Sequence, residues 1–296
     1  MDMTQNKCCR HGASLRRRRR RRRKILRFII FSCSIIAVAV GSSMIRSGDG
    51  RTNRYDVEAR NNTYDNAVIE NSKISEKNKI QNNQSMLDDI VNSTQYPKQL
   101  KDLALKNEEA LEFVYDYPAE HVKEHTIDLT EEASMDSVPL FVQWDKRWGY
   151  EKYSGNFFAA SGCGPTTLSM VVVYLTHNRD ASPIAVAKYS KEAGYSVDGS
   201  GSSWTLISEG CRHYGVKAKT VALDESRMKA ELDAGHPIVI NVGPGDFTDT
   251  GHFMVITGYD DEGFSINDPN SIEKSGKRWL FKNISSQIRA VWSMYV

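Results

Sequence analysis

The sequence predicts an α+β domain in the C-terminal part of a chain that crosses a membrane once. Three observations support this prediction. An uncharged apolar stretch follows an arginine run near the N-terminus, helix-like apolar spacings dominate residues 163–214, and short strand-like segments follow from residue 216 onward. Helices followed by strands are typical of an α+β fold in which an antiparallel sheet packs on a helix.

Positive charge is concentrated in residues 1–24. This segment contains eleven Lys and Arg residues, eight of them in the run 16–23, and one acidic residue, so its formal charge is +10. The whole chain of 296 residues carries only +2, which leaves −8 for the remainder. A nucleic-acid-binding domain needs a basic face, so no nucleic-acid partner is expected. We expect the arginine-rich tail to set the membrane topology and to contact anionic lipid.

Residues 25–45 are predicted to form a transmembrane helix. Residues 28–45 carry no charge, and Arg46 closes the stretch. At about 1.5 Å per residue the segment reaches about 31 Å, which matches the roughly 30 Å hydrocarbon core of a bilayer. The positive-inside rule then places residues 1–24 in the cytoplasm and the C-terminal domain outside. A signal peptide cleaved after the Ala-Val-Ala at 37–39 is the alternative.

Two segments are predicted to connect the span to the folded domain. Residues 46–96 are polar and rich in asparagine without a sustained apolar period, which is typical of a disordered stalk. Residues 97–136 are predicted to form a polar helix followed by a linker, because Leu100, Leu103 and Leu111 recur at helical spacings behind Pro97.

Residues 137–296 are predicted to form the folded domain, since they are numerous enough to bury their own core. The stretch LSMVVVYL after Pro165 is apolar on every side, which predicts a buried central helix. Two further helices are expected at 183–193 and 204–214. The expected strands are 216–223, 238–242, 252–259, 264–267, 279–281 and 290–295.

Cys163 is the candidate nucleophile. It lies between two glycines at the start of the central helix, where backbone amides and the positive helix end stabilise both a thiolate and a developing oxyanion. The glycines are expected to leave space around the sulfur. The alternative is the usual role of a free cysteine, a small buried hydrophobic residue.

His252 and Asp268 are the candidate base and its orienting partner. His252 begins an apolar strand at its loop edge, and Asp268 ends the next strand of the same predicted hairpin. The carboxylate is therefore placed to orient the imidazole and to favour its charged form. A core histidine and a turn-forming Asn-Asp-Pro are the alternatives. The order Cys, His, Asp is typical of a nucleophile, its base and the orienting group.

The motifs around these residues resemble the papain-like cysteine peptidases of family thirty-nine, in particular their stand-alone branch. The matching segments are VPLFVQWDKRW, GCGPTTLSM, DGSGSSW, GPGDFTDTGHFMVITGYD and INDPNS. The resemblance covers about 138–292 and implies a papain-like fold, with Cys163 as nucleophile, His252 as general base and Asp268 as its partner. It also implies that Gln143 is the side-chain donor of the oxyanion hole. Since Gln143 lies 20 residues before Cys163, a loop must fold back to bring its amide to the site.

The sequence therefore predicts a membrane-anchored cysteine peptidase that acts on a peptide or protein outside the cell, without cofactor or metal. Cys211 and His213 supply only two of the four ligands that a structural zinc ion needs. The family's best-known members cut leader peptides on the cytoplasmic side of ATP-driven exporters. This chain has one predicted span and no nucleotide-binding motif, so leader processing is not expected. A cell-wall amide hydrolase or acyl-transferase and a non-catalytic surface binding module remain alternatives, and the oligomeric state stays open.

Overall fold

The computed structural model describes residues 54–296, with side chains from residue 73 onward. The predicted tail, 1–24, and the predicted transmembrane helix, 25–45, lie outside the described residues. None of the helices within 54–296 combines the length and the apolar character that a membrane span requires. The chain divides into two units, Met1–Ile74 and Ser75–Val296, and all contacts discussed below lie within the second.

A six-stranded antiparallel sheet forms the centre of this second unit. Its strands are Lys217–Thr220 (β5), Ile238–Val242 (β6), His252–Asp260 (β7), Gly263–Asn267 (β8), Arg278–Trp279 (β9) and Ile288–Tyr295 (β10). Two small hairpins precede it, Lys152–Tyr153 (β1) with Asn156–Phe157 (β2) and Ser196–Val197 (β3) with Gly201–Ser202 (β4). The order across the sheet is β5-β10-β6-β7-β8-β9, and all pairs are antiparallel. Each strand of the sheet overlaps one predicted from the sequence, so the predicted antiparallel sheet is confirmed.

Apolar side chains alternate between the two faces of the sheet, as strand geometry requires. One face carries Val239, Phe253, Val255, Trp292 and Met294. The other carries Ile240, Val242, Met254, Ile256 and Val291. The helix Cys163–Thr176 packs on the first face, and the helix Glu225–Asp233 packs on the second through Met228. The sheet is thus covered on both faces, which explains why every residue of β6 is buried.

The predicted central helix is present as Cys163–Thr176, and its residues 164–173 are all buried. The second predicted helix is Pro183–Glu192, whereas the third is divided into Thr205–Ser208 and the 3₁₀ helix Gly210–Tyr214. The shorter helices of the domain are Thr130–Ala133, Phe158–Ser161, Ile272–Ser275, Phe281–Ile284 and the 3₁₀ helix Ser285–Gln287.

The expectation of a disordered stalk over 46–96 is wrong for most of that segment. The structure has a long helix there, Arg54–Asn92, while residues 46–53 lie outside the described residues. The physical reason is the apolar cluster near the C-terminal end of the helix. Ile90 is fully buried, and Met86 and Leu87 pack in the same core, so this end of the helix gains burial that its polar composition does not indicate.

The helical segment predicted after Pro97 is present in three pieces, Lys98–Lys106, the 3₁₀ helix Glu108–Ala110 and Leu111–Tyr115, followed by Tyr117–Glu120. We call 98–115 the wall segment. Its apolar side, including Leu100 and Leu103, packs against Phe157 and Ala159. Because these two residues lie just before Cys163 in the chain, the wall segment is close to the start of the central helix.

Candidate active site

Cys163 is the first residue of the central helix, with Gly162 as its N-cap. The thiol and the imidazole of His252 lie near enough to shift each other's pKa. Burial opposes ionisation of the thiol, but the hydrogen bond and charge of His252, together with the backbone N–H groups of Phe253 and Gly164, lower the pKa of Cys163. The position therefore favours a thiolate, the nucleophilic form of cysteine.

The two glycines beside Cys163 have a different role from the expected one. A Cβ atom on Gly162 would lie 2.6 Å from the ring of Phe158, and one on Gly164 would lie 2.5 Å from Ser202 Oγ. Both glycines therefore permit close packing instead of leaving space around the sulfur. This packing holds the start of the helix firmly and so fixes the position of the thiol.

His252 begins β7 and is only 6% exposed. Its Nε2 atom lies 2.7 Å from Asp268 Oδ1, which leaves Nδ1 to face the thiol of Cys163. Burial disfavours the imidazolium, but the charge and hydrogen bond of Asp268 and the contact with Cys163 raise the pKa of His252. The β7–β8 pairing, in which Val255 lies opposite Asn267, brings the carboxylate to the imidazole, as the predicted hairpin requires.

Asp268 is 1% exposed and is held by its own turn as well as by His252. Its Oδ1 atom also accepts a hydrogen bond from the backbone N–H of Asn270 at 2.8 Å, and its own N–H donates to Ser275 Oγ at 2.9 Å. The second carboxylate oxygen, Oδ2, has no hydrogen-bond partner among the described residues. The orientation of this carboxylate thus depends on the geometry of residues 268–275.

Gln143 is brought back to the site, as the resemblance requires. It is 4% exposed, its Nε2 atom donates to the carbonyl of Ala159 at 2.6 Å, and its backbone N–H donates to the carbonyl of Pro269 at 2.7 Å. A carbonyl only accepts hydrogen bonds, so the amide nitrogen must face Ala159. Gln143 and Cys163 both line the same cleft.

Cys163, His252 and Gln143 line one cleft of about 530 Å³. This volume is within the range of ligand-binding clefts. Loop residues 245–251 form one side, and residues of the wall segment, including Leu103 and Asn107, form another. The charged residues of the cleft besides the site itself are Asp102, Lys106, Asp246, Asp249 and Lys274. The sequence carried no signal for the wall, because it lies far from the catalytic motifs in the chain and has no motif of its own.

Cys211 has none of these features. It is fully buried, and burial raises its pKa to about 11. Within residues 73–296, no group of three His, Cys, Asp or Glu side chains is arranged to hold a metal ion. Cys163 is therefore the thiol in the described residues that is suited to nucleophilic chemistry.

Comparison with known proteins identifies the family. Residues 135–296, more than half of the chain, match the Peptidase_C39 like family. The chain belongs to this family. Membership confirms the resemblance seen in the motifs and supports a cysteine peptidase-like function. No curated protein matches the chain.

Two solved structures similar to this chain are C39 peptidases or C39-like proteins. One is the peptidase domain of Streptococcus ComA, described as a bi-functional ABC transporter involved in a quorum sensing pathway, with 18% identity and a TM-score of 0.40 over 53% of this chain and 96% of that chain. The other is a putative C39-like peptidase from Bacillus anthracis, with 17% identity and a TM-score of 0.34 over 54% of this chain and 95% of that chain.

The family match includes only some of the residues that line the cleft. Gln143, Cys163, His252 and Asp268 all lie within the matched residues 135–296. The wall segment, which lines the same cleft, precedes them. The cleft is thus lined in part by residues that lie outside the family match.

Proposed function

We propose that this chain is a membrane-anchored cysteine peptidase that hydrolyses peptide bonds outside the cell, with Cys163, His252 and Asp268 as its triad. The observation that carries the proposal is the continuous set of contacts from the Cys163 thiol through the His252 imidazole to the buried Asp268 carboxylate, at the edge of an open cleft. A cysteine that only fills space in a core needs neither partner.

The reaction follows from this arrangement. The Cys163 thiolate adds to the carbonyl carbon of the scissile peptide bond, and the imidazolium of His252 gives its Nδ1 proton to the leaving amine as the C–N bond breaks. A thioester remains on Cys163. The neutral imidazole then takes a proton from a water molecule, the resulting hydroxide adds to the thioester, and the carboxylic acid product leaves. Thiolate and imidazolium are restored, and Asp268 orients the ring throughout.

Gln143 is proposed to stabilise the oxyanion of both tetrahedral intermediates. Its Nε2 atom donates one N–H to the carbonyl of Ala159, and Gln143 lines the cleft beside Cys163, so we infer that the second N–H serves the oxyanion. The first backbone N–H groups of the central helix have no acceptor within the helix, so they are suited to the same oxyanion. Because both donors are held by packing, they need no rearrangement when the charge develops.

Membrane anchoring rests on the predicted span 25–45 and the +10 charge before it. Protease added to intact cells should remove the C-terminal domain and leave a membrane-bound stub, which an N-terminal tag would reveal. Protection of the domain would contradict the topology. Release of an intact domain that begins at Val40 would instead indicate a cleaved signal peptide.

Catalysis is tested with the full-length protein on a peptide library and on purified peptidoglycan. Cys163→Ala should lower turnover by a factor on the order of 10⁴ or more, while Cys211→Ala serves as the matched cysteine control and should retain most activity. Turnover restricted to peptidoglycan would favour the cell-wall amide hydrolase or acyl-transferase. Unchanged turnover in Cys163→Ala would refute the cysteine mechanism. No turnover on either substrate, with an unreactive Cys163, would leave a binding module.

A further inference from the structure

Residues 268–273, which we call the Asp268 turn, are held by a side chain from the wall segment. One oxygen of the Glu109 carboxylate accepts a hydrogen bond from the Ser271 hydroxyl. The other accepts the backbone N–H groups of Ile272 at 2.7 Å and Glu273 at 3.0 Å. A single carboxylate from outside the family-matched residues thus makes three hydrogen bonds to this turn, and bonds to a charged acceptor are the stronger kind.

Asn107 supports the same connection. It interrupts the helices of the wall segment with an extended backbone (φ −136°), and its Oδ1 atom accepts the N–H of Glu109 at 3.0 Å. Its Nδ2 atom reaches the other way and donates to the carbonyl and to the side-chain oxygen of Asn270, at 2.9 and 3.1 Å. The break in the wall segment therefore directs two side chains at the Asp268 turn.

Asn270 and Ser271, which the wall segment contacts, also hold Asp268 in place. The N–H of Asn270 donates to Asp268 Oδ1 at 2.8 Å, and the N–H of Ser271 donates to the Asp268 carbonyl at 3.2 Å. A displacement of Asn270 or Ser271 would therefore move the carboxylate that orients His252. Since Asp268 Oδ2 has no partner among the described residues, these contacts and His252 account for the carboxylate's orientation.

We propose that Glu109 is a positioning residue for the triad, acting through the Asp268 turn. The wall segment thereby contributes to the geometry of the active site. This inference rests on the proposed function. The titratable groups that face the His252 ring directly are Cys163 and Asp268. The other charged groups of the cleft are Asp102, Lys106, Asp246, Asp249 and Lys274, and all of them stay unchanged in the Glu109 variants.

The test measures the alkylation rate of Cys163 by iodoacetamide in the full-length protein, resolved from the other four cysteines by peptide mass spectrometry, as a function of pH. Loss of the Glu109 carboxylate should loosen Asp268 and favour the neutral thiol–imidazole pair over the thiolate–imidazolium pair. We expect Glu109→Ala to slow alkylation about tenfold near pH 7, within the range for residues coupled in one hydrogen-bond network. Above the ordinary thiol pKa of about 8.5 the rates should converge, because the thiolate then forms without help from the imidazolium.

Glu108→Ala is the matched control. Glu108 lies in the same 3₁₀ helix, but its carboxylate accepts a hydrogen bond from Asn83 and not from the Asp268 turn. The substitution Glu108→Ala removes the same charge from the same helix and should leave the pH dependence of the Cys163 alkylation rate unchanged. Glu109→Gln keeps the shape of the side chain and should slow the alkylation of Cys163 in the same way, but by a smaller factor. This variant replaces Glu109→Ala in the test if Glu109→Ala fails to fold.

A double-mutant cycle distinguishes positioning from a general structural role. If Glu109 acts through Asp268, Glu109→Ala should change the rate less than about twofold in an Asp268→Ala background. A tenfold loss in that background, or an equal loss at every pH, would overturn the inference. So would a wild-type rate in Glu109→Ala. The proposed function fails separately, if wild-type Cys163 reacts no faster than Cys211.

Discussion

Cys163 begins the central helix, Cys211 lies in the 3₁₀ helix Gly210–Tyr214, and both pack against the same apolar core. Burial by itself raises the pKa of either thiol. At Cys211 burial outweighs the opposing charge of Arg212 and a backbone hydrogen bond, and the pKa is raised to about 11. At Cys163 the His252 imidazole and nearby backbone N–H groups outweigh burial and lower the pKa. Two thiols in one core thus differ in chemistry because of their hydrogen-bond partners.

The largest expected difference between these regions is in thiol reactivity. Near pH 7 a thiol with a pKa of about 11 is ionised in about one molecule in 10⁴, whereas a thiol with an ordinary or lowered pKa is ionised in at least about one in 100, so Cys163 should alkylate at least about 100-fold faster than Cys211. Because its pKa is lowered, the rate at Cys163 should reach its plateau below the ordinary thiol pKa of about 8.5. His252→Ala should slow Cys163 and leave Cys211 unchanged. Equal rates, or a disulfide between the two cysteines in purified protein, would contradict the assignment of Cys163 as nucleophile.

Gln143 tests whether catalysis needs more than a reactive thiol. As an oxyanion donor it should contribute about 2.7 to 4 kcal/mol in the transition state, so Gln143→Ala should lower kcat about 100- to 1000-fold. Alkylation by iodoacetamide forms no oxyanion, so the alkylation rate of Cys163 should change little. Measuring both rates on the same variant provides the control. Parallel losses in turnover and alkylation would show that Gln143 supports the site's structure instead.

Asp268→Asn tests the charge on the orienting partner. The asparagine oxygen can still accept the Nε2 hydrogen bond, but the carboxylate that raises the pKa of His252 is lost. A lower pKa means that the imidazolium is lost at a lower pH, so the alkaline limb of the kcat/KM profile should move to lower pH. A change of about one pKa unit corresponds to roughly tenfold in rate on that limb. An unchanged limb would show that Asp268 does not act on His252 through its charge.

The smallest expected effects are on stability, and they compare the glycines beside the two cysteines. Gly164→Ala should lower the free energy of unfolding by about 1–3 kcal/mol, because its Cβ would lie 2.5 Å from Ser202 Oγ. Gly210→Ala should cost less, since the nearest atom is a ring carbon of Tyr195 at 3.0 Å.

Gly258→Ala is the control for the glycine comparison, because no atom lies within 4 Å of its added Cβ. Chemical denaturation of each variant measures the free energies. A larger loss in Gly210→Ala than in Gly164→Ala would show that the start of the central helix is less tightly packed than the structure indicates.

Much of the fold could be predicted because its signals are local. The strand β6 was predicted with its observed bounds, since four of the five residues that follow Pro237 are apolar and β-branched. The helix Glu225–Asp233 was missed, because Met228 is its only buried residue and it has no apolar period. The long helix Arg54–Asn92 was missed for a related reason: its apolar residues are scattered without a period. Its buried residue Ile90 lies near the C-terminal end, where residues distant in the chain cover it.

The sequence alone determined the local chemistry of this protein. A cysteine between glycines at a helix start, a histidine that begins a strand and an aspartate that ends the next one are recognisable because each pattern lies within one element or one hairpin. The tertiary structure alone decided the surroundings of that chemistry. The bond between Glu109 and Ser271 joins residues 162 positions apart, and Gln143 reaches the cleft only through a loop held by Pro269 and Ala159. Periodicity reports burial within an element, whereas such contacts depend on how packing brings distant segments together.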